Sequence, residues 1–144
     1  MNIDETKWLL GALRKVQFFS TFSMENIDSI LQHFQKYTIP ADNVIIQEGT
    51  PGGAFFIIYK GKAKVLKRKF IFFAERIAEL GEGSFFGEMA LVFDKPAVAA
   101  IIAEDDCEVF SLRKQDFQDL IKEIPELKME FQHVAERRQF ETNS

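Results

Sequence analysis

Gly81-Glu82-Gly83-Ser84-Phe85-Phe86-Gly87-Glu88-Met89-Ala90-Leu91, closely followed by Asp94-Lys95-Pro96-Ala97-Val98-Ala99-Ala100, is the stretch on which the fold of this chain turns. Gly81, Gly83 and Gly87 allow left-handed backbone and let another chain segment or a ligand come close. Glu88 to Leu91 has the composition of a short helical turn. A helix that begins directly after a glycine presents unbonded N–H groups at its start, and that arrangement attracts anions.

On both sides of this stretch the text is β-rich and punctuated. Short runs at Val44 to Ile46, Ala54 to Tyr59, Ala63 to Leu66, Ile77 to Leu80, Val98 to Ile102 and Cys107 to Leu112 are spaced by turn residues at Pro40 to Asn43, Gly49 to Gly53, Lys60-Gly61, Gly81 to Gly83 and Asp94 to Pro96. Strands this short and evenly spaced predict an antiparallel β-roll, two sheets in a jelly-roll-like arrangement, over residues 37–112.

Helical periodicity brackets the roll. Asp4 is a candidate N-cap for Trp8, Leu9, Leu13 and Val16, and Ser23 opens a second helix in which Ile27, Ile30, Leu31 and Phe34 form one apolar stripe. After Arg113 the helical period returns in Phe117, Leu120 and Ile121, and Pro125 opens a last helix carrying Leu127, Met129, Phe131, Val134 and Ala135. The expected fold class is mainly β with flanking α: helices over 4–36, the roll over 37–112 and C-terminal helices over 113–140, as one domain of 144 residues.

Composition narrows the function. A net charge of −4 with scattered Lys and Arg gives no basic footprint, so neither nucleic acid nor an anionic membrane surface is an expected partner. The single cysteine, Cys107, allows no internal disulfide, and no leader or membrane-length apolar run is visible, which predicts a soluble cytoplasmic protein. His33, His133 and Cys107 stand too far apart for a nucleophile with its base or for a metal site. Glu104-Asp105-Asp106 is consecutive rather than spaced like an oxygen cage, so it is expected to be a solvated turn. No enzyme, cofactor or metal is predicted. The chain holds 16 phenylalanines, more than a core this small readily hides, and some are expected at an interface.

Val16-Gln17-Phe18-Phe19-Ser20, Gln47-Glu48-Gly49, the run Ala54 to Val65, Phe86-Gly87-Glu88-Met89-Ala90-Leu91, Pro96 and Glu104 to Val109 occur in the order seen in the cyclic-nucleotide-binding domain family, to which catabolite activator protein and the regulatory subunits of cAMP-dependent protein kinase belong. The chain resembles that family nearly end to end. The resemblance implies that Glu88 accepts from a ribose 2′-hydroxyl and that backbone N–H groups at Gly87 and Ala90 face a cyclic phosphate. It also implies an arginine and a hydroxyl residue where this chain has Ala97 and Ala100.

An arginine fork binds phosphate through two charge-assisted hydrogen bonds, and losing one buried charge partner costs roughly 2–5 kcal/mol. That weakens a micromolar site about 30- to 4,000-fold, to about 0.03–4 mM. The candidate pocket is therefore Gly87, Glu88, Met89, Ala90, Lys95, Ala97 and Val98, degenerate or adapted to another small anionic ligand, in a regulatory module of signal transduction that acts through protein contacts. The alternative is a working cAMP or cGMP sensor in which Lys95 or another residue replaces the arginine, although a lysine lacks the fork. The plain reading of Glu88 is a helix N-terminal carboxylate, and of the glycines, tight turns.

Phe70-Ile71-Phe72-Phe73 follows Lys67-Arg68-Lys69 where the family usually has a polar turn. If this segment alternates as a strand, about half of these side chains face outward, which predicts a homodimer or protein-partner interface.

Overall fold

The computed structural model describes residues 1–15, 22–70, 73–93 and 95–143. Helix α1 (Ile3–Lys15) starts on a reciprocal cap. The Asn2 side-chain oxygen accepts from the Glu5 amide at 2.8 Å, and Glu5 Oε1 accepts from the Asn2 amide at 3.1 Å. Asn2, not Asp4, is thus the cap; Asp4 lies in the first turn, where its charge complements the helix dipole. Helix α2 (Met24–Gln32) is capped as predicted by Ser23, whose hydroxyl accepts from the Asn26 amide at 3.2 Å. Its stripe of Ile27, Ile30, Leu31 and, just beyond, Phe34 is buried.

The strands are β1 (Gln35–Ile39), β2 (Val44–Ile46), β3 (Ala54–Lys60), β4 (Ala63–Phe70), β5 (Phe73–Leu80), β6 (Phe85–Phe86), β7 (Ala100–Ala103) and β8 (Cys107–Arg113). Between β6 and β7 lies the short helix α3 (Glu88–Val92), and the chain continues through α4 (Lys114–Glu123) and α5 (Glu126–Asn143). Two antiparallel four-stranded sheets result, in the orders β1-β8-β3-β6 and β2-β7-β4-β5. The roll begins at Gln35 rather than Tyr37, because Gln35 and Lys36 pair with Ser111 and Phe110.

Three expected strands change in extent. β4 and β5 form one long hairpin through Lys67 to Lys69, a segment with the charges of a loop; Lys67 pairs with Glu75, and Lys69 and Glu75 lie 3.2 Å apart as an ion pair. The hairpin corrects the expectation that Phe70 to Phe73 alternate as one strand: Phe70 ends β4, Phe73 begins β5, and the two are cross-strand partners at the tip. Ile71 and Phe72 lie outside the described residues, as do Val16 to Ser20 and Asp94. β7 starts at Ala100 instead of Val98, because Pro96 and Ala97 pair with the loop before β3 rather than with a sheet.

Alternation along β3 and β8 builds two cores. Phe55, Ile57, Phe110 and Leu112 pack with Leu9, Leu13, Ile27, Phe117, Leu120, Leu127 and Phe131 of the helices. The residues between them, Ile58 and Val109, join Ala63, Phe86, Ile101, Ala103 and Cys107 between the two sheets. This double burial takes in Phe34, Phe55, Phe86, Phe110, Phe117 and Phe131, each contributing about 1.5–3 kcal/mol by transfer from water. Phe55 and Phe117 both meet Phe131 edge-on, at 5.3 and 5.0 Å between ring centres.

Helix α1 is held to the first sheet by charge. Lys36 of β1 lies 2.7 Å from Glu5 Oε2 and 2.7 Å from Glu108 Oε1, with its ammonium 5.7 Å from the centre of the Tyr59 ring. Hydrogen bonds donated to Glu108 and Glu5 hold Lys36 above its ordinary range. The bond from Lys36, assisted by the Asn2 backbone, holds Glu5 below its ordinary 4.5. A depressed carboxylate stabilises the fold above its unfolded-state pKa and loses that contribution as pH falls through the lower folded-state value. Glu5→Gln is predicted to lower the urea midpoint at pH 7 and to differ progressively less from wild type as the solution is acidified below about pH 4.5. A gap that stays constant into acid would show that the pair does not stabilise the fold.

Candidate functional site

The glycine-rich stretch folds around strand β3. Phe85 and Phe86 pair with Ile57 and Phe56, and the Phe86 ring stacks on Phe56 with centres 5.2 Å apart. Gly87 then turns with φ 88° as the N-cap of α3. A Cβ at this position would run into the carbonyl oxygen of Ala54, so the left-handed turn and the close approach both require glycine here.

Glu88 follows as the first residue of α3 and is only 3% exposed. It is therefore not a solvent-facing helix cap, and its carboxyl is enclosed by the fold. Met89 and Ala90 are half-buried. The Ala90 amide donates to the Gly87 carbonyl at 3.2 Å, so one of the two backbone donors expected to face a phosphate is engaged within the turn.

The second half of the candidate pocket is assembled by a loop that turn chemistry alone marked in the sequence. The amide of Gly49 donates to the Ala97 carbonyl at 2.8 Å, and the Ala97 amide donates to the Thr50 carbonyl at 2.9 Å. Pro51 and Pro96 form an antiparallel bridge beside them. Gly52 abuts Ala90 so closely that a Cβ on Gly52 would collide with the Ala90 methyl. Residues 49–53 thus join α3 to the Pro96-Ala97 segment, and both backbone polar groups of Ala97 are used in that junction. The loop is in turn tied to the hairpin, since Glu48 Oε1 accepts from the Arg68 amide at 2.9 Å.

The structure brings Gly87, Glu88, Met89 and Ala90 together on α3 and sets Ala97, half-buried, across the shared loop. Lys95 and Val98 are exposed. The Lys95 ammonium lies 5.7 Å from the centre of the ring of Phe93, the C-cap residue of α3, so this cation sits by the residue at the opposite end of the helix from Gly87. At the hairpin tip, Phe73 is 58% exposed and Ile77 on the same strand 47%.

Comparison with known proteins gives a consistent picture. The sequence model described as cyclic nucleotide-binding domain matches residues 37–124. A cyclic nucleotide-gated potassium channel from Mesorhizobium japonicum is 33% identical over 132 residues, covering 91% of this chain and 35% of the channel. A cAMP-dependent protein kinase regulatory subunit from Aspergillus fumigatus is 28% identical over 123 residues, covering 85% of this chain and 29% of that subunit. The chain thus spans about a third of the length of these relatives. A cyclic nucleotide-binding domain from Methylobacillus flagellatus superimposes with a TM-score of 0.79 at 23% identity, covering 96% of this chain and 82% of that one.

Proposed function

Because the chain belongs to the cyclic nucleotide-binding domain family, we propose that it is a non-catalytic regulatory module whose pocket at α3 holds cAMP or cGMP only weakly and which acts through protein contacts. The observation that carries this reading is Ala97. It is half-buried at the position where the resemblance implies the phosphate-binding arginine, its backbone groups are committed to Gly49 and Thr50, and its methyl offers a phosphate nothing. Of the other groups the resemblance implies, the Ala90 amide is engaged by the Gly87 carbonyl, which leaves the turn at Gly87 and the Glu88 carboxyl to support the reading. Gly87 makes its left-handed turn, and the enclosed Glu88 beside it is the acceptor proposed for a ribose hydroxyl.

The competing reading, a tight sensor with Lys95 as replacement cation, is disfavoured by the position of that ammonium against Phe93 at the far end of α3. A lysine there is a hydrated point charge without a fork.

The protein contact proposed is a second copy of this chain at the β4–β5 hairpin. β5 is the edge of its sheet, exposed from Phe73 to Glu79, and it offers unpaired backbone together with Phe73 and Ile77. A two-fold axis lets one such patch cover itself.

Two experiments separate the pocket from the interface. Ala97→Arg combined with Ala100→Thr restores a fork and a hydroxyl beside an existing backbone turn, and is predicted to raise cAMP affinity by at least about tenfold in equilibrium dialysis; an unchanged affinity would show that the cation is not what the pocket lacks. Phe73→Ser with Ile77→Ser is predicted to turn a dimer into a monomer by light scattering, with a change of no more than about 1 kcal/mol in stability because both side chains are exposed. A wild-type monomer would remove the dimer.

A further inference from the structure

Three segments assemble the pocket at α3, residues 49–53, 87–93 and 95–100, and four of their hydrogen-bond donors are already in use. The Gly49 amide donates to the Ala97 carbonyl, the Ala97 amide to the Thr50 carbonyl and the Ala90 amide to the Gly87 carbonyl. The Thr50 hydroxyl donates to the Gln47 carbonyl at 2.7 Å. An anion is held by donors, and these four already have acceptors inside the protein.

Charge on the same segments points the same way. Their charged side chains are Glu88, which is buried, and Lys95, which is exposed with its ammonium by Phe93. Ala97 and Ala100 are half-buried and present methyls where the resemblance implies a guanidinium and a hydroxyl. The segments thus enclose one carboxyl among apolar groups and enclose no cation. A cyclic phosphate entering such surroundings gives up water around a full charge and receives neither a cation nor these amides in return. A hydroxyl loses far less on the same transfer, and it has a hydrogen to donate to a carboxyl.

We infer that the α3 pocket prefers a neutral ribonucleoside to the cyclic nucleotide of the same base, with the 2′-hydroxyl donating to Glu88 and the uncharged 3′ and 5′ positions by the Ala97 and Ala100 methyls. The inference rests on the proposed function, in which the pocket keeps its nucleotide-binding turn without a grip on phosphate, and it names what the pocket takes instead. Specificity is a difference between two affinities, so replacing an arginine and a hydroxyl residue by alanines reverses a preference by penalising the charged ligand alone.

The test is an NMR titration of the whole ¹⁵N-labelled chain with adenosine, cAMP, 2′-deoxyadenosine and the methyl phosphotriester of cAMP, which keeps the cyclic ring without its charge. Adenosine is expected to give saturable amide shifts at residues 49–53, 87–91 and 97–100, with a Kd at least about tenfold below that of cAMP. The triester is expected to bind more tightly than cAMP. 2′-Deoxyadenosine is expected to bind at least about fivefold more weakly than adenosine, because it lacks the hydroxyl assigned to Glu88. Ala97→Arg with Ala100→Thr is expected to invert the order and place cAMP above adenosine; should this variant fail to fold, the wild-type comparisons decide alone. Weak cAMP binding with adenosine no tighter, or no binding of either, overturns the inference while the loss of phosphate affinity stands, whereas a low-micromolar Kd for cAMP overturns both. Equal binding of adenosine and 2′-deoxyadenosine removes Glu88 as the acceptor and with it the assignment.

Discussion

Strand β3 is buried on both faces, and the rest of the molecule is arranged to meet that constraint. Phe55 and Ile57 face the helices while Ile58 faces the second sheet, so a one-residue slip would exchange two differently shaped cores. β8 carries the same alternation beside it, Phe110 and Leu112 one way and Cys107 and Val109 the other. The register of the pair is thus fixed by packing on two sides, and with it the position of the Ala54 carbonyl. That oxygen leaves space only for a glycine at position 87, which places the N-terminus of α3 and encloses Glu88.

The candidate pocket is accordingly a by-product of the fold in its backbone and an independent choice in its side chains. Gly49, Gly52 and Gly87 satisfy turns and close approaches that the roll needs whether or not anything binds. Position 97 is different. Its backbone serves the junction with Gly49 and Thr50, but any side chain compatible with half-burial can stand there. A chain can therefore keep the whole scaffold of this family and alter the charge that receives a phosphate, because architecture and affinity are held by different atoms.

Much of this was legible in the sequence. Apolar runs with β-branched residues marked β2, β3 and β8, the helical period marked α2, α4 and α5, and the Phe86 to Leu91 run marked α3. What escaped depends on contacts between distant segments. β6 is a two-residue strand that exists only through Phe56 and Ile57. The strand character of Lys67 to Lys69 comes from pairing with Phe73 to Glu75 across the hairpin and not from propensity. Asn2 rather than Asp4 caps α1 because a cap and its reciprocal Glu lie three residues apart, and Asn2 with Glu5 has that spacing. The junction of residues 49–53 with α3 and Ala97 had no local signal beyond turn residues.

A calorimetric titration of the unmodified chain with cAMP measures most directly whether the pocket has lost its grip on phosphate. A cradle that retains its backbone turn and Glu88 but has Ala97 in place of the fork should give no saturable heat at micromolar ligand, with binding appearing only as the concentration approaches millimolar. A saturable isotherm with a low-micromolar Kd would contradict it, and would mean that another group in this fold receives the phosphate.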